Sequence, residues 1–416
     1  MSTAPEPVET APGAPVVAAP GDDLGAYARR WWTGVKSGDF GSLAIVVGLI
    51  IIAIVFQSQN SNFLTAGNFV NLIVQAAAIT TIAMGIVFVL LLGEIDLSVG
   101  YVSAVAGVCV ALLTLPDGHH VVGTVPTLVI ALGGGLAIGL LQGLIITKVG
   151  VPSFVVTLAG LLGWNGVVLL LIGDRGTVIL QNDFFVGFAN DFISEGASWL
   201  VAIGGVALYA GVLIYQRHLR AKAGLEKAPD VLIAIRVAGL ALATFAVVYV
   251  ANQDRGIPYV FLVLAGLFVF WSYILNRTAF GRHIYAVGGS AEAARRAGID
   301  VDRVKMACFA ICSMMAALGG IILASRLRSV DTGAGGGSIL LYSIAAAVIG
   351  GTSLFGGRGN MKSAVLGALV IASIDNGLGL LGLSSGTKFV VTALVLLAAV
   401  TVDSISRRGR EASGRG

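Results

Sequence analysis

The chain has 416 residues, 56% of them hydrophobic and only 12% charged, about half the charged share of soluble domains. A water-soluble fold is excluded, and most of the chain must be buried in lipid. Its 57 glycines, about twice the usual ~7%, suit transmembrane helices packed backbone to backbone rather than a flexible linker, and the net charge of +4 reads as a membrane-facing bias, not as nucleic-acid binding.

Residues 1–25 are rich in Ala, Pro and Glu and lack the apolar core of a signal peptide, so residues 1–40 read as a disordered cytoplasmic tail. A bilayer core of about 30 Å needs about 20 apolar residues per helix. Runs of that kind lie near 41–57, 67–92, 98–115, 123–147, 153–173, 197–215, 231–250, 257–275, 304–325, 338–355, 361–381 and 386–402. Because each span must satisfy its backbone internally, the expected fold is all-α, a polytopic α-helical membrane protein of about 12 transmembrane helices over residues 41–405. Residues 406–416 form a cytoplasmic C-terminal tail. The alternating strands of a membrane barrel are absent from the pattern. Two runs are candidates for broken or re-entrant helices: 67–92, which holds Asn68, Asn71, Gln75, Thr80 and Thr81, and 338–355, which follows the Gly-rich stretch Asp331 to Gly337.

Most of the 26 Lys and Arg fall in alternate connections if both termini are cytoplasmic, for instance Lys148, Arg217, Arg220, Arg277, Arg295, Arg303, Arg358 and Arg407. Only Arg175, Arg255, Arg326, Arg328 and Lys388 fall outside or at the outer mouth, and Arg236 falls within a span. This asymmetry predicts a multi-pass inner-membrane protein with both ends inside. The outer segment 174–196 carries Asp174, Asp183, Asp191 and Glu195, and its phenylalanines 184, 185, 188 and 192 suggest a lip or short interfacial helix. Ser103-Ala-Val-Ala-Gly107 echoes Ser363-Ala-Val-Leu-Gly367, as a parallel repeat or as chance in an Ala/Gly-rich chain.

No nucleophile, base and orienting group stand together. Cys109, Cys308 and Cys312 lie in apolar stretches without histidines at metal-ligand spacing and read as small buried residues. His119, His120, His218 and His283 lie at span edges, in an outer turn or in inner basic segments. Gly356-Gly-Arg-Gly-Asn-Met-Lys-Ser363 is not a phosphate loop, since Met361 stands where a glycine must precede the lysine. The chain holds no ATP site of its own.

The sharpest intramembrane feature is Gly93-Glu-Ile-Asp-Leu-Ser-Val-Gly100. Carboxylates at membrane depth usually mark a pathway or a paired site, so Glu94, Asp96 and Ser98 are candidate pathway residues. The plainer alternative is that Asp96 or Ser98 caps the next helix at the cytoplasmic mouth. Asn71, Gln75, Asn165, Asp375 and Asn376 can hydrogen-bond a neutral polyhydroxyl substrate or a neighbouring helix, and Trp164 can face a sugar ring or pack. In the inner segment 276–303, Ser290 is placed to cap a short helix over Ala291 to Ala297, with Glu292 in its first turn, Arg295 and Arg296 near its end and Gly298 as its stop. Such a helix is a candidate knob for a cytoplasmic partner, or else a lipid-surface helix.

Four stretches together resemble the permeases of bacterial importers for ribose, arabinose, galactose and xylose, the monosaccharide group of the ATP-binding-cassette (ABC) transporters. They are Glu94-Ile-Asp-Leu-Ser-Val-Gly100; Val151-Pro-Ser-Phe-Val-Val-Thr-Leu-Ala-Gly160; Thr278 to Ile299; and Ala347-Val-Ile-Gly-Gly-Thr-Ser-Leu-Phe-Gly-Gly357. Glu94 and the extra pair of spans around 197–250 place the chain nearest, within that group, to permeases for D-xylose. The resemblance implies a homodimer of permeases that receives sugar from an extracytoplasmic sugar-binding protein and is worked by a cytoplasmic ABC ATPase subunit, which binds the ATP and magnesium. It also implies ATPase coupling through Tyr285, Gly288, Gly289, Glu292, Ala293, Ala294, Arg295, Gly298 and Ile299. Arg358 and Lys362 depart from the small uncharged residues expected there. Two other functions compete: a proton-coupled secondary sugar transporter using Glu94 or Asp96, and a membrane enzyme acting on a lipid-linked sugar, for which a catalytic acidic cluster is wanting.

Overall fold

A computed structural model describes residues 43–116, 121–224 and 229–395, together with 397 and 401. The two tails and His119 and His120 lie outside the described residues. In chain order the helices are α1 (Leu43–Gln59), α2 (Ala66–Leu91), α3 (Val99–Leu113), α4 (Thr124–Leu144, running on into a π-turn at Ile145–Val149), α5 (Ser153–Ile172), α6 (Asp183–Asn190), α7 (Glu195–Lys222) and α8 (Asp230–Asn252). There follow α9 (Tyr259–Arg277), α10 (Ala279–Gly289), α11 (Ala291–Arg296), α12 (Val301–Leu327), α13 (Ser338–Ile349), α14 (Met361–Leu380) and α15 (Ser385–Val395). Every one of the twelve apolar runs coincides with a helix. Among the described residues eight are long and apolar enough to cross a bilayer, whereas α1, α3, α13 and α15 are shorter there, so the expected count of about twelve is neither reached nor contradicted by these helices.

Two chain units are distinct. Residues 199–247 belong to one of them, an antiparallel hairpin from α7 and α8 in which Trp199 meets Phe245 at 5.8 Å between ring centroids and Arg217 pairs with Asp230. Both of its helices are long and apolar enough to cross a membrane. The other unit, residues 41–198 and 248–400, holds the core.

That core is built on α2 and α12. From Ala76 to Leu91 every residue of α2 is buried, and α12 packs against α2, α3 and α4. Small residues make this approach possible: Gly135, Gly139 and Gly143, one helical turn apart on α4, lie against the backbone of Ser313, Phe309 and Met306. A Cβ on Gly139 would stand 2.6 Å from Ala310 Cα, so no side chain fits. Without a hydrophobic drive between helices in lipid, such close backbone packing is what holds a bundle together. Cys308 and Cys312 are free and fully buried in this seam, and Cys109 is half-buried, as expected for packing residues. Trp271 of α9 closes one side, edge-on to Phe88 at 5.0 Å and donating from Nε1 to Met315 Sδ at 3.2 Å.

The echoing segments both place small residues against a glycine. Ser103 lies on Gly320 and Gly107 on Ala324, whereas Ser363 lies on Gly350 and Gly367 on Ala346. One pairing runs parallel and the other antiparallel, so the echo is a shared packing unit with no common orientation.

Loops sort cleanly between two faces. The aromatic stretch does form a helix, α6, with Asn182 as its cap, and Ala189 N–H donates to Ser325 Oγ (2.9 Å) near the end of α12. On the same face β1 (Thr177–Ile179) pairs with β4 (Ser329–Asp331) and β2 (Phe192–Ile193) with β3 (Ile257–Pro258). The opposite face gathers the π-turn, α10, α11, the turn at 92–98 and the turn at 350–360, with Lys148 paired to Asp302 at 2.9 Å. This second face is the one rich in Lys and Arg.

Candidate functional site

Of the two runs suspected of being broken, 67–92 is a continuous helix and the break falls just after it. At about 1.5 Å per residue, α3 is roughly 22 Å long and α13 roughly 18 Å, both short of a 30 Å core. The long helix α12 serves as a ruler for where they begin. Glu94 pairs with Lys305, four residues into α12, while Asp96 lies against Cys312, seven residues and about 10 Å farther along. The segment 93–98 therefore climbs back into the bundle, and Asp96 sits near the middle of α12 rather than at its mouth. From the other face, Gly335 packs on Gly100, where a Cβ on Gly335 would stand 2.7 Å from Ala104 Cβ. Two re-entrant segments thus meet mid-bundle, and α3 and α13 start from them.

Asp96 does not cap α3, and neither does Ser98, which occupies the cap position in helical conformation without a side-chain capping bond. The reason is a tighter local arrangement. Asp96 Oδ1 accepts from Ser98 N–H (2.9 Å) and Ser98 Oγ (2.6 Å), and Ser98 Oγ in turn accepts from Gln142 Nε2 of α4 (2.8 Å). The carboxylate is 3% exposed. Its Oδ2 has no hydrogen-bond partner, and the Cys312 thiol, a weak donor, is a neighbour of the carboxylate. Glu94 and Lys305 keep 18% and 23% side-chain exposure, so this pair is open to water at the basic face.

A second polar group lies towards the opposite face. Asn68 and Asn376 exchange amide bonds (2.9 and 3.0 Å), and Asn376 also donates to Gln75 Oε1 (3.2 Å), joining α2 to α14. Between Asn68 and Gln75 on α2, Asn71 accepts from Arg255 (2.6 Å), which also pairs with Asp254 (2.8 Å) and lies 5.0 Å from the Phe192 ring centre. Asp375 faces Tyr342 of α13 and Arg326 of α12, and Tyr342 also meets Thr392 of α15. Gln75 and Asn376 are thereby brought together between α2 and α14, whereas Asn71 is held by Arg255 and Asp375 by Tyr342 and Arg326. Asn165 stands apart: it is half-buried on α5, which packs on α3 and α4. Its neighbour Trp164 lines a crevice of about 470 Å³ with Gln142 and Gly160, and Asn165 is absent from that lining.

The inner segment folds as capping chemistry dictates. Ser290 ends α10, donating its N–H to Ala286 O (3.1 Å), and caps α11 through Oγ, which accepts from Ala293 N–H (3.2 Å). Gly298, at φ +83°, stops α11, and Ile299 N–H returns to Ala294 O at 3.0 Å, the six-to-one bond of a Schellman turn. Glu292 pairs with Arg296 (3.0 Å) and Arg295 (3.6 Å) on the exposed side, while Ala294 is buried against the bundle. Tyr285 donates its hydroxyl to Gly359 O (2.8 Å), and burial raises its phenol above the ordinary value, keeping it a donor.

A protein family described as "Branched-chain amino acid transport system / permease component" matches residues 68–400. The chain belongs to this permease family. The permease is 35% identical to the xylose transport system permease protein XylH of Escherichia coli (strain K12), over 91% of this chain and 95% of that protein. It is 34% identical to XylH of Haemophilus influenzae, over 88% and 98%. It is also 30% identical to the ribose import permease protein RbsC of Escherichia coli (strain K12), over 90% and 97%. No solved structure matches the permease. Among its described residues no group of three or more His, Cys, Asp or Glu could hold a metal ion.

Sequence reasoning missed Lys305, Gln142, Arg255, Tyr342 and Arg326 as partners in the permease's polar groups. Lys305 and Arg255 carry a readable signal, since each is the last base before an apolar run. Gln142 carries none, because an amide on a Gly-rich helix looks like any other helix-helix contact.

Proposed function

We propose that this chain is the membrane-spanning permease subunit of an ATP-driven importer for a monosaccharide, D-xylose, working as a homodimer with a cytoplasmic ATPase and an extracytoplasmic sugar-binding protein. The observation that carries the reading is the capped, rigid helix α11 on the basic face, seated at the root of the broken spans, in a chain whose relatives are named for xylose and ribose transport. The family description names branched-chain amino acids; the sugar reading rests on those relatives. The basic face is cytoplasmic, with both termini there.

Sugar passes from the outer polar residues, Asn71, Gln75, Asp375 and Asn376, towards the re-entrant segment with Glu94, Asp96 and Ser98; Asn165, apart on α5, has no place on that route. The side chains along it offer donors and acceptors to a neutral polyol without demanding a charge on it. ATP energy enters through Glu292, Ala293, Ala294, Arg295, Gly298 and Ile299, with Tyr285, Gly288 and Gly289 behind them. A proton-coupled carrier has no use for such a helix. The test is recovery of the ATPase on tagged permease. Gly298→Val forces a β-branched residue into a left-handed position, and it is expected to leave the permease inserted, lose the ATPase and abolish sugar-stimulated ATP hydrolysis. Equal recovery and unchanged transport would remove the coupling assignment.

A further inference from the structure

Resting on that importer reading, we propose that Gly288 is the positioning residue through which a displacement of α11 reaches both broken spans at once. Three backbone segments meet here: Gly288 itself, Leu91 to Gly93, and Gly356 with Gly357. Leu91 O, at the end of α2, accepts from Gly357 N–H at 2.8 Å. A Cβ on Gly288 would run into that same carbonyl oxygen and stand 2.7 Å from Gly357 N. Gly356, at φ +85°, closes the third side: a Cβ there would stand 2.8 Å from Gly288 O and 2.9 Å from Gly93 N. The crowding is local, since the adjacent Gly289 has nothing within 4 Å of its added Cβ.

Each of these backbones leads to one moving part. Gly288 is two residues from Ser290, which closes α10 and opens α11 with no slack residue between them. Gly93 leads directly into Glu94, Asp96 and the start of α3. Gly356 and Gly357 lie in the turn that follows α13. Since backbone touches backbone, no side-chain rotamer can absorb a shift, and close-packed interiors transmit such strain rather than dissipate it. Tyr285, bonded to Gly359 O, is a second tie between α10 and that turn. A push on α11 therefore moves the segment leading into α3 and the C-terminal end of α13 together, which is how a single cytoplasmic contact can shift both of the short helices whose starts meet mid-bundle.

The experiment measures sugar imported per ATP hydrolysed by the permease reconstituted in vesicles with its ATPase and sugar-binding protein. Gly288→Ala is compared with Gly266→Ala, a helical glycine of α9 with open space around it. The expected result is equal ATPase recovery for both variants and ATP hydrolysis within about twofold of wild type. Import per ATP falls about tenfold in Gly288→Ala, the effect of some ~1.4 kcal/mol on the transport barrier, and is unchanged in Gly266→Ala. A wild-type ratio in Gly288→Ala at normal abundance overturns the joint. Should Gly288→Ala lower abundance, Tyr285→Phe decides, with a loss of about threefold expected from a missing hydrogen bond and an unchanged ratio overturning the proposal. Failure of wild-type permease to recover any ATPase overturns the importer reading, and the joint with it.

Discussion

Replacing Asp96 separates a structural latch from a proton carrier. Its Oδ1 satisfies two donors of Ser98 inside the bundle, and the group is 3% exposed. Asp96→Ala removes that acceptor; Ser98 Oγ can turn to Gln142 Oε1, 3.3 Å away, but the Ser98 N–H is orphaned. A buried unsatisfied donor costs about 1–3 kcal/mol, and the space left by the carboxylate adds to this, so a loss of about 2–4 kcal/mol is expected. Asp96→Asn keeps the Oδ1 acceptor and puts its amide nitrogen where Oδ2 had no hydrogen-bond partner, so folding should stay within about 1 kcal/mol of wild type. The assay pairs thermal unfolding of purified permease with ATP-driven sugar uptake in vesicles. Asn should resemble wild type in both, and Ala should fail in both. Loss of uptake in Asp96→Asn with unfolding unchanged would refute a purely structural latch, because it would show that transport needs the carboxylate itself, as an ionisable group or as a second acceptor.

Other outcomes follow from single contacts. Lys305→Ala leaves Glu94 half-buried and unpaired, and adding Glu94→Gln should restore about 1 kcal/mol, measured by a double-mutant cycle of thermal stability; additive losses would show that the pair does not matter. Gly139→Val should unseat α4 from Phe309 and Ala310 and lower the amount of folded permease extracted from membranes, while Gly134→Ala, with nothing within 4 Å, should not. Ser290→Ala removes the cap of α11, worth about 1 kcal/mol, and should weaken ATPase recovery without altering membrane insertion. Tyr285 has a folded-state pKa above its unfolded value near 10, so the unfolded chain releases the proton first; stability should be level up to about pH 10 and fall above it. In Tyr285→Phe that fall should be smaller, by denaturation followed against pH.

The helices were legible because length and hydropathy decide them in lipid, and α11 because Ser290, Glu292, Arg296 and Gly298 each carry a local signal. The breaks were only half legible. Polar residues drew suspicion to the run 67–92, yet Asn68, Gln75 and Asn376 satisfy one another across helices and leave α2 unbroken. The break instead follows Gly93, at φ +75°, where the residues look like an ordinary loop with a cap. What distinguishes a capped mouth from a re-entrant segment is the depth of Asp96, and depth depends on a partner, Cys312, more than two hundred residues away in the chain. The same holds for Gly288, whose crowding involves Leu91 and Gly357 and leaves no mark in its own neighbourhood. Long-range packing was invisible wherever the contact is backbone on backbone.

The central claim is that ATP hydrolysed by a partner drives a sugar through this chain, and uptake of labelled D-xylose into vesicles holding the permease, its ATPase and its sugar-binding protein tests it directly. The account predicts uptake that requires ATP, ignores an imposed pH gradient and is not matched by labelled leucine; uptake driven by the pH gradient without ATP, or ATP-driven uptake of leucine in place of xylose, would contradict it.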